Sequence, residues 1–93
     1  MKIILDNNIK IENALDIKRL LIKKLEEAKK ESKKTLVIDF SQVNFIDSTG
    51  LGILVSIHKR SIEQGVQLIL KNISPMVYDV FEITMLDEVF TIE

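Results

Sequence analysis

Between Thr35 and Phe40 the chain reads Thr-Leu-Val-Ile-Asp-Phe, with almost no polar alternation. A strand with one face in water alternates apolar and polar residues, whereas a parallel strand covered on both faces does not. The run therefore predicts a covered strand, and the flanking segments supply helices to cover it. Upstream, Ala14, Ile17, Leu21, Leu25 and Ala28 recur at spacings of three and four, while Lys18, Lys23, Lys24, Glu26 and Glu27 fall largely off that stripe. This spacing predicts an amphipathic helix lying on an apolar surface. Asn13 is a good N-cap, Asp16 at the third helical position suits the positive end of the helix dipole, and the helix should end near Ser32. Downstream, a second helix is predicted from Leu51 to about Gln64, closed by Gly65 at its C′ position. Its apolar residues Leu51, Ile53, Leu54, Val55, Ile57 and Ile62 cover a wide arc, which predicts the most buried helix of the fold.

The remaining segments extend the alternation. Val66 to Leu70 reads as another strand. Ser74-Pro75 starts a third helix, with serine as cap and proline where its missing N–H costs nothing, and Val77, Val80, Phe81 and Thr84 give it an inner face. Glu88 to Ile92 reads as a short final strand. At the other end, Lys2–Leu5 and Ile9–Ile11 flank the turn-prone Asp6-Asn7-Asn8, as a hairpin or as one strand followed by a loop. The order β-α-β-α-β-α-(β) predicts an α/β fold: a small sheet, mostly parallel or else mixed, with about three to four helices, joined by right-handed crossovers. The 93 residues suit a single domain spanning 1–93. A chain of this size buries only about 60–65% of its unfolded surface, enough for one core but not for a deep substrate cavity.

Composition narrows the function. There is no cysteine, so disulfides, thiolate metal sites and thiol nucleophiles are excluded, in keeping with a cytoplasmic location. Met1–Leu5 is too short an apolar stretch for a signal peptide, and no run approaches the ~18 apolar residues that cross a bilayer. Net charge is −1, and Lys29-Lys30 with Lys33-Lys34 is diluted by Glu26, Glu27 and Glu31, so no nucleic-acid footprint emerges. Catalytic constellations are missing too. His58 is the only histidine and lies mid-helix, where it reads as a partly buried structural residue. No phosphate-loop lysine motif or dinucleotide glycine fingerprint occurs. Thr49 makes the Asp47–Gly50 turn one residue too long for an aspartic protease, and Asp39-Phe40-Ser41 lacks the second aspartate of a phosphoaspartyl hydrolase. A receiver domain would use Asp39 or Asp47 as phosphoacceptor, but it needs an acidic pair after the first strand, and Asp6 alone is not that pair. The sequence thus points to a binding protein rather than an enzyme, with no metal or cofactor.

Asp47-Ser48-Thr49-Gly50 lies between the covered strand and the second helix, at the carboxyl end of the strand, where open α/β sheets place their functional surfaces. Capping alone explains a carboxylate and hydroxyls there: Asp47 or Ser48 satisfies the orphan N–H groups of the helix start. A phosphate on a serine at this point would also face free N–H groups and the positive dipole end. It would add about −1.5 to −2 charges beside Asp47 and repel an acidic or apolar partner. Of the flanking Val43, Phe45 and Ile46, either Phe45 or Ile46 should border the partner surface, unless both are core.

The stretch from Val37 through Asp47-Ser48-Thr49-Gly50-Leu51-Gly52 resembles STAS domains, the anti-sigma factor antagonist family. Ile73-Ser74-Pro75-Met76-Val77 and Val80–Leu86 look like that family's last helix. The resemblance covers about residues 35 to 90 and extends over the first helix. It implies phosphorylation on the hydroxyl residue after the aspartate, Ser48, with Thr49 the weaker candidate. It also implies a partner surface of Asp47, Ser48, Thr49, Gly50, Leu51 and Gly52, and binding to a serine/threonine kinase that is itself an anti-sigma factor, reset by a phosphatase. Two departures stand out. The Gly-Glu-Leu-Asp-like segment of many antagonists is absent, and Ile9–Ala14 is instead similar to compact STAS proteins of chemotaxis and signalling systems or lipid-transport complexes. That similarity implies the alternative use, an adaptor subunit whose Ser48 is never phosphorylated. Met85 stands where the family often has glycine, between Thr84 and Leu86.

Overall fold

Strand β2, Thr35–Asp39, forms where expected, but only one of its faces is covered by helices. The structure, a computed structural model, describes residues 1–93. Four strands, β1 (Lys2–Ile4), β2, β3 (Gln67–Lys71) and β4 (Thr91–Ile92), stand side by side in chain order, and every pairing is parallel. The sheet is therefore not mixed. The hairpin alternative at the amino end fails as well: β1 is a single strand, and the Ile9–Ile11 stretch contributes only an isolated parallel bridge from Ile9 to Ile46.

Register explains the one-sided cover. Lys2, Val37, Ile69 and Thr91 are neighbours across the sheet, as are Ile3, Ile38, Leu70 and Ile92. The second row, with Leu36 and Leu68, faces the helices: its central residues are buried and its edge residues Ile3 and Ile92 half-buried, while no residue of the first row is buried. Strands added always to the same side by right-handed crossovers deliver every connecting helix to the same face. The continuous apolar run in β2 thus arises from Val37 and Ile69 side by side on the open face, flanked by the Lys2–Asp39 and Lys71–Glu93 ion pairs (3.6 and 3.7 Å).

Helix α1, Ala14–Lys30, buries the predicted stripe of Ala14, Ile17, Leu21, Leu25 and Ala28. Each fully buried Leu or Ile in such a stripe contributes about 1.5–3 kcal/mol. Asn13 precedes the helix but caps nothing with its side chain. Helix α2, Ser48–Gln64, starts three residues before Leu51 and ends at Gly65, whose φ of +72° is the left-handed cap conformation. It is not the most buried helix. Gly50, Leu54, Ile57 and Ser61 turn inward, while Val55 and Ile62 are 42% and 67% exposed. Helix α3, Pro75–Ile83, is capped by the Ser74 hydroxyl, which accepts the Val77 N–H at 3.3 Å. Val77 and Phe81 are its buried residues; Val80 is half-buried, and Thr84 lies past the helix end and is exposed. A 3₁₀ turn at Leu86–Glu88 shortens the last strand to Thr91–Ile92. It follows Met85, which holds a left-handed φ of +61°. Phe40, Phe81 and Phe90 stack edge-to-face and tie α3 to the sheet, and His58, half-buried, meets the Phe90 ring at 5.7 Å.

Candidate functional site

The site is built where β2 hands over to α2. Val43 and Ile46 are buried in the core and pin the connecting loop, while Phe45 between them is 47% exposed. Of the two residues expected to border a partner surface, Phe45 is the accessible one and Ile46 is core.

Asp47 is the N-cap, in an extended conformation, and both its carboxylate oxygens are engaged. Oδ1 accepts the Gly50 N–H at 2.9 Å, the expected cap. Oδ2 accepts the Ile11 N–H at 3.0 Å, across 36 residues. The backbone repeats the connection: Asp47 N–H donates to the Ile9 carbonyl at 3.1 Å, and Ile9 N–H to the Phe45 carbonyl at 3.2 Å. Asn8 joins from the same loop, its Oδ1 accepting the N–H groups of Asn44 (2.7 Å) and Phe45 (3.1 Å). Asn13 then closes that loop on itself, accepting the Lys10 N–H at 3.0 Å and donating to the Asn8 carbonyl. The start of α2 is therefore held by a loop from the far end of the chain. Sequence reading missed Asn8 and Ile11; the turn-prone Asn8 was visible, but its distant partners were not.

Gly50 is where the two segments touch. A Cβ there would lie 2.6 Å from the Ile9 carbonyl oxygen and 2.8 Å from Ile9 and Ile46 side-chain carbons. Only glycine lets the first turn of α2 come this close to the loop. Gly52, two residues on, is exposed and meets nothing within 4 Å.

Ser48 and Thr49 occupy the first and second helical positions, and both are exposed. Their backbone N–H groups donate to no protein acceptor, and they stand at the positive end of a 17-residue helix. Leu51 is half-buried beside them. The six residues Asp47–Gly52 are thus together at one helix start, but in different roles. Asp47 and Gly50 are structural anchors, whereas Ser48, Thr49 and Gly52 are surface.

The other carboxylate considered as a phosphoacceptor, Asp39, is tied up structurally. It is 5% exposed at the end of β2. The Ser41 backbone N–H (2.8 Å), then the Ser41 hydroxyl and the Asn72 side chain, lower its pKa to about 2, with Lys2 adding a smaller contribution.

This constellation, a parallel sheet in chain order leading to an aspartate-capped helix with an exposed serine, has a counterpart among known proteins. The STAS domain family model matches residues 1–93. The chain belongs to the STAS domain family. The anti-sigma-B factor antagonist of Listeria monocytogenes is 36% identical over 58 residues, covering 62% of this STAS chain and 51% of that protein. The matched segment thus spans about half the length of that curated relative. Among solved structures, a Thermotoga maritima protein assigned as an anti-sigma factor antagonist superimposes with a TM-score of 0.82 at 29% identity, covering 98% of this chain and 77% of that one. The anti-sigma factor antagonist SpoIIAA, in its unphosphorylated form, shares the fold with a TM-score of 0.58 at 21% identity, over 95% of this chain and 86% of its own. The family assignment and the all-parallel sheet agree with the sequence reading of a STAS-like α/β protein. No helix of this STAS chain is long and apolar enough to cross a membrane.

Proposed function

We infer that this STAS chain is a phosphorylatable binding switch that engages a protein partner through the start of α2. The expected partner is a serine/threonine kinase acting as an anti-sigma factor, bound when Ser48 is unmodified and released when it is phosphorylated; a phosphatase restores binding. The chain binds and is modified; it catalyses nothing itself. The observation that carries the reading is the exposed Ser48 at the first helical position, next to a carboxylate whose two oxygens are already engaged. The relatives named as anti-sigma factor antagonists support the partner class.

The chemistry of the switch follows from that placement. A phosphoryl group on Ser48 gains the unpartnered N–H groups of the first turn and the positive dipole end, so the domain tolerates it. The same group places two anionic centres side by side and adds negative charge to the surface a partner meets. Thr49, one position further on, is the weaker acceptor.

The test is incubation with the cognate kinase and ATP, followed by intact-mass measurement and by partner binding of Ser48→Ala and Ser48→Asp. One added phosphate, absent in Ser48→Ala, with binding lost in Ser48→Asp, is the expected result. No phosphoform, or unchanged binding by Ser48→Asp, rejects the switch and leaves a constitutive adaptor.

A further inference from the structure

One edge of the sheet has hydrogen-bonding groups that point away from the molecule and lead into a groove. Strand β1 accepts the Val37 N–H on the Met1 carbonyl (2.8 Å) and donates the Leu5 N–H to the Asp39 carbonyl (3.1 Å). Backbone groups alternate sides along a paired strand, so those of Lys2 and Ile4 point outward, where no strand of this chain lies. Beside this edge, between the end of β1 and the first two turns of α1, runs a groove of about 270 Å³. Leu5, Ile17 and Leu20 form its apolar walls, Ile4 lies at its rim, and Asp6 and Asp16 are among its polar lining. Ile4 and Leu20 are 53% and 39% exposed. Neither carboxylate is in an ion pair, and no lysine or arginine lines the groove.

We propose that this edge and groove form a second docking site, separate from the Ser48 surface, for an extended segment of a partner protein carrying a lysine or arginine. The guest pairs with the outward N–H and C=O groups of Lys2 and Ile4 as an added strand. Side chains of adjacent strands share faces at each level, so the guest residue opposite Leu5 points to the helix side and enters the groove. A basic residue there lays its aliphatic stem along Ile17 and Leu20 and brings its charge to Asp6 and Asp16. The guest residue opposite Ile4 falls on the open face, where an apolar side chain covers Ile4. The backbone ladder supplies affinity, and the two unpaired carboxylates supply selectivity against acidic guests. A second copy of this chain fits less well, because the helix-side residue of its own β1 is Ile3 and carries no charge. The Asp16 carboxylate also suits the start of α1, a role that does not depend on any guest.

The test is amide chemical-shift mapping of the ¹⁵N-labelled chain titrated with a strand-forming heptapeptide bearing a central lysine, and with the same peptide bearing glutamate. Shifts at Lys2, Ile4, Leu5 and Leu20 are expected, with half-saturation at or below about 1 mM for the lysine peptide. Binding should weaken about five- to tenfold for the glutamate peptide and for the double variant Asp6→Asn with Asp16→Asn. Ile4→Pro removes one outward N–H without touching the β2 ladder, so a folded Ile4→Pro chain should lose the binding. Equal binding of the two peptides, shifts centred on Ser48–Gly52, or no shift at β1 up to about 10 mM lysine peptide overturns the proposal. Concentration-dependent shifts at β1 without peptide also overturn it, because the edge then pairs with a second copy.

Discussion

Two glycines in the same helix, Gly50 and Gly52, should respond to alanine with opposite signs. At Gly50 the new Cβ meets a backbone oxygen at 2.6 Å and two side-chain carbons at 2.8 Å. The Ile9 carbonyl is also the acceptor of the Asp47 N–H, so it cannot retreat without loosening that bond. Overpacking of this kind costs about 1–3 kcal/mol, and the loosened hydrogen bond about 1 kcal/mol more. Alanine's helix propensity returns about 1 kcal/mol. The net expectation for Gly50→Ala is a loss of about 2 kcal/mol, a fall in Tm of about 10 °C for a chain this size. At Gly52 nothing opposes the substitution, so Gly52→Ala should gain about 1 kcal/mol and raise Tm by about 5 °C. Urea unfolding followed by helical circular dichroism, with m unchanged, reads both. If Gly50→Ala matches the wild type in stability, or the two variants shift the same way, the close contact between the α2 start and the Ile9 loop is not what fixes glycine at position 50.

Three further outcomes are expected. Asp47→Ala should cost about 1–2 kcal/mol, and hydrogen exchange should show the Ile11 and Gly50 amides losing protection together; protection retained at Ile11 would contradict the bridging carboxylate. Asp39 binds its proton more weakly in the folded chain, at a pKa of about 2 against an ordinary 3.8. The unfolded chain therefore takes up the extra proton first, and stability should fall as pH drops from about 4 towards 2; Asp39→Asn should flatten that part of the urea-midpoint profile. Met85→Gly should hold or raise stability by up to about 1 kcal/mol, because the left-handed conformation costs a side chain that here is largely in water, and a clear loss of stability would show that Met85 packs.

Periodicity made α1 legible: five residues at helical spacing define its buried face, and no neighbour had to be known. The Ser74-Pro75 start and the Gly65 stop were equally local signals. The sidedness of the sheet was not legible. Val37 looks like core in sequence because an apolar residue beside Ile69 on an open face and one under a helix are the same letter. The predicted start of α2 at Leu51 lies three residues late because Ser48 and Thr49 read as turn residues, although the Asp47 cap incorporates them in the helix. At the site itself, the exposed serine beside an aspartate was readable, but the reach of Asp47 to Ile11 was not. That bond joins residues 36 apart, and nothing in either segment announces the other.

The strand order has a consequence for how the protein can be joined to others. Because the strands stand in chain order, the residues next to Met1 and Glu93 belong to opposite edges, β1 and β4. The two five-residue strands between them feed the serine-bearing turn and α3. Segments joined before Met1 or after Glu93 therefore add material at the margins of the sheet, while the Ser48 turn follows β2, one of its two central strands. Fluorescent or affinity tags joined to this 93-residue chain before Met1 or after Glu93 should leave partner access to Ser48 intact, whereas an insertion between Phe40 and Asp47 would not.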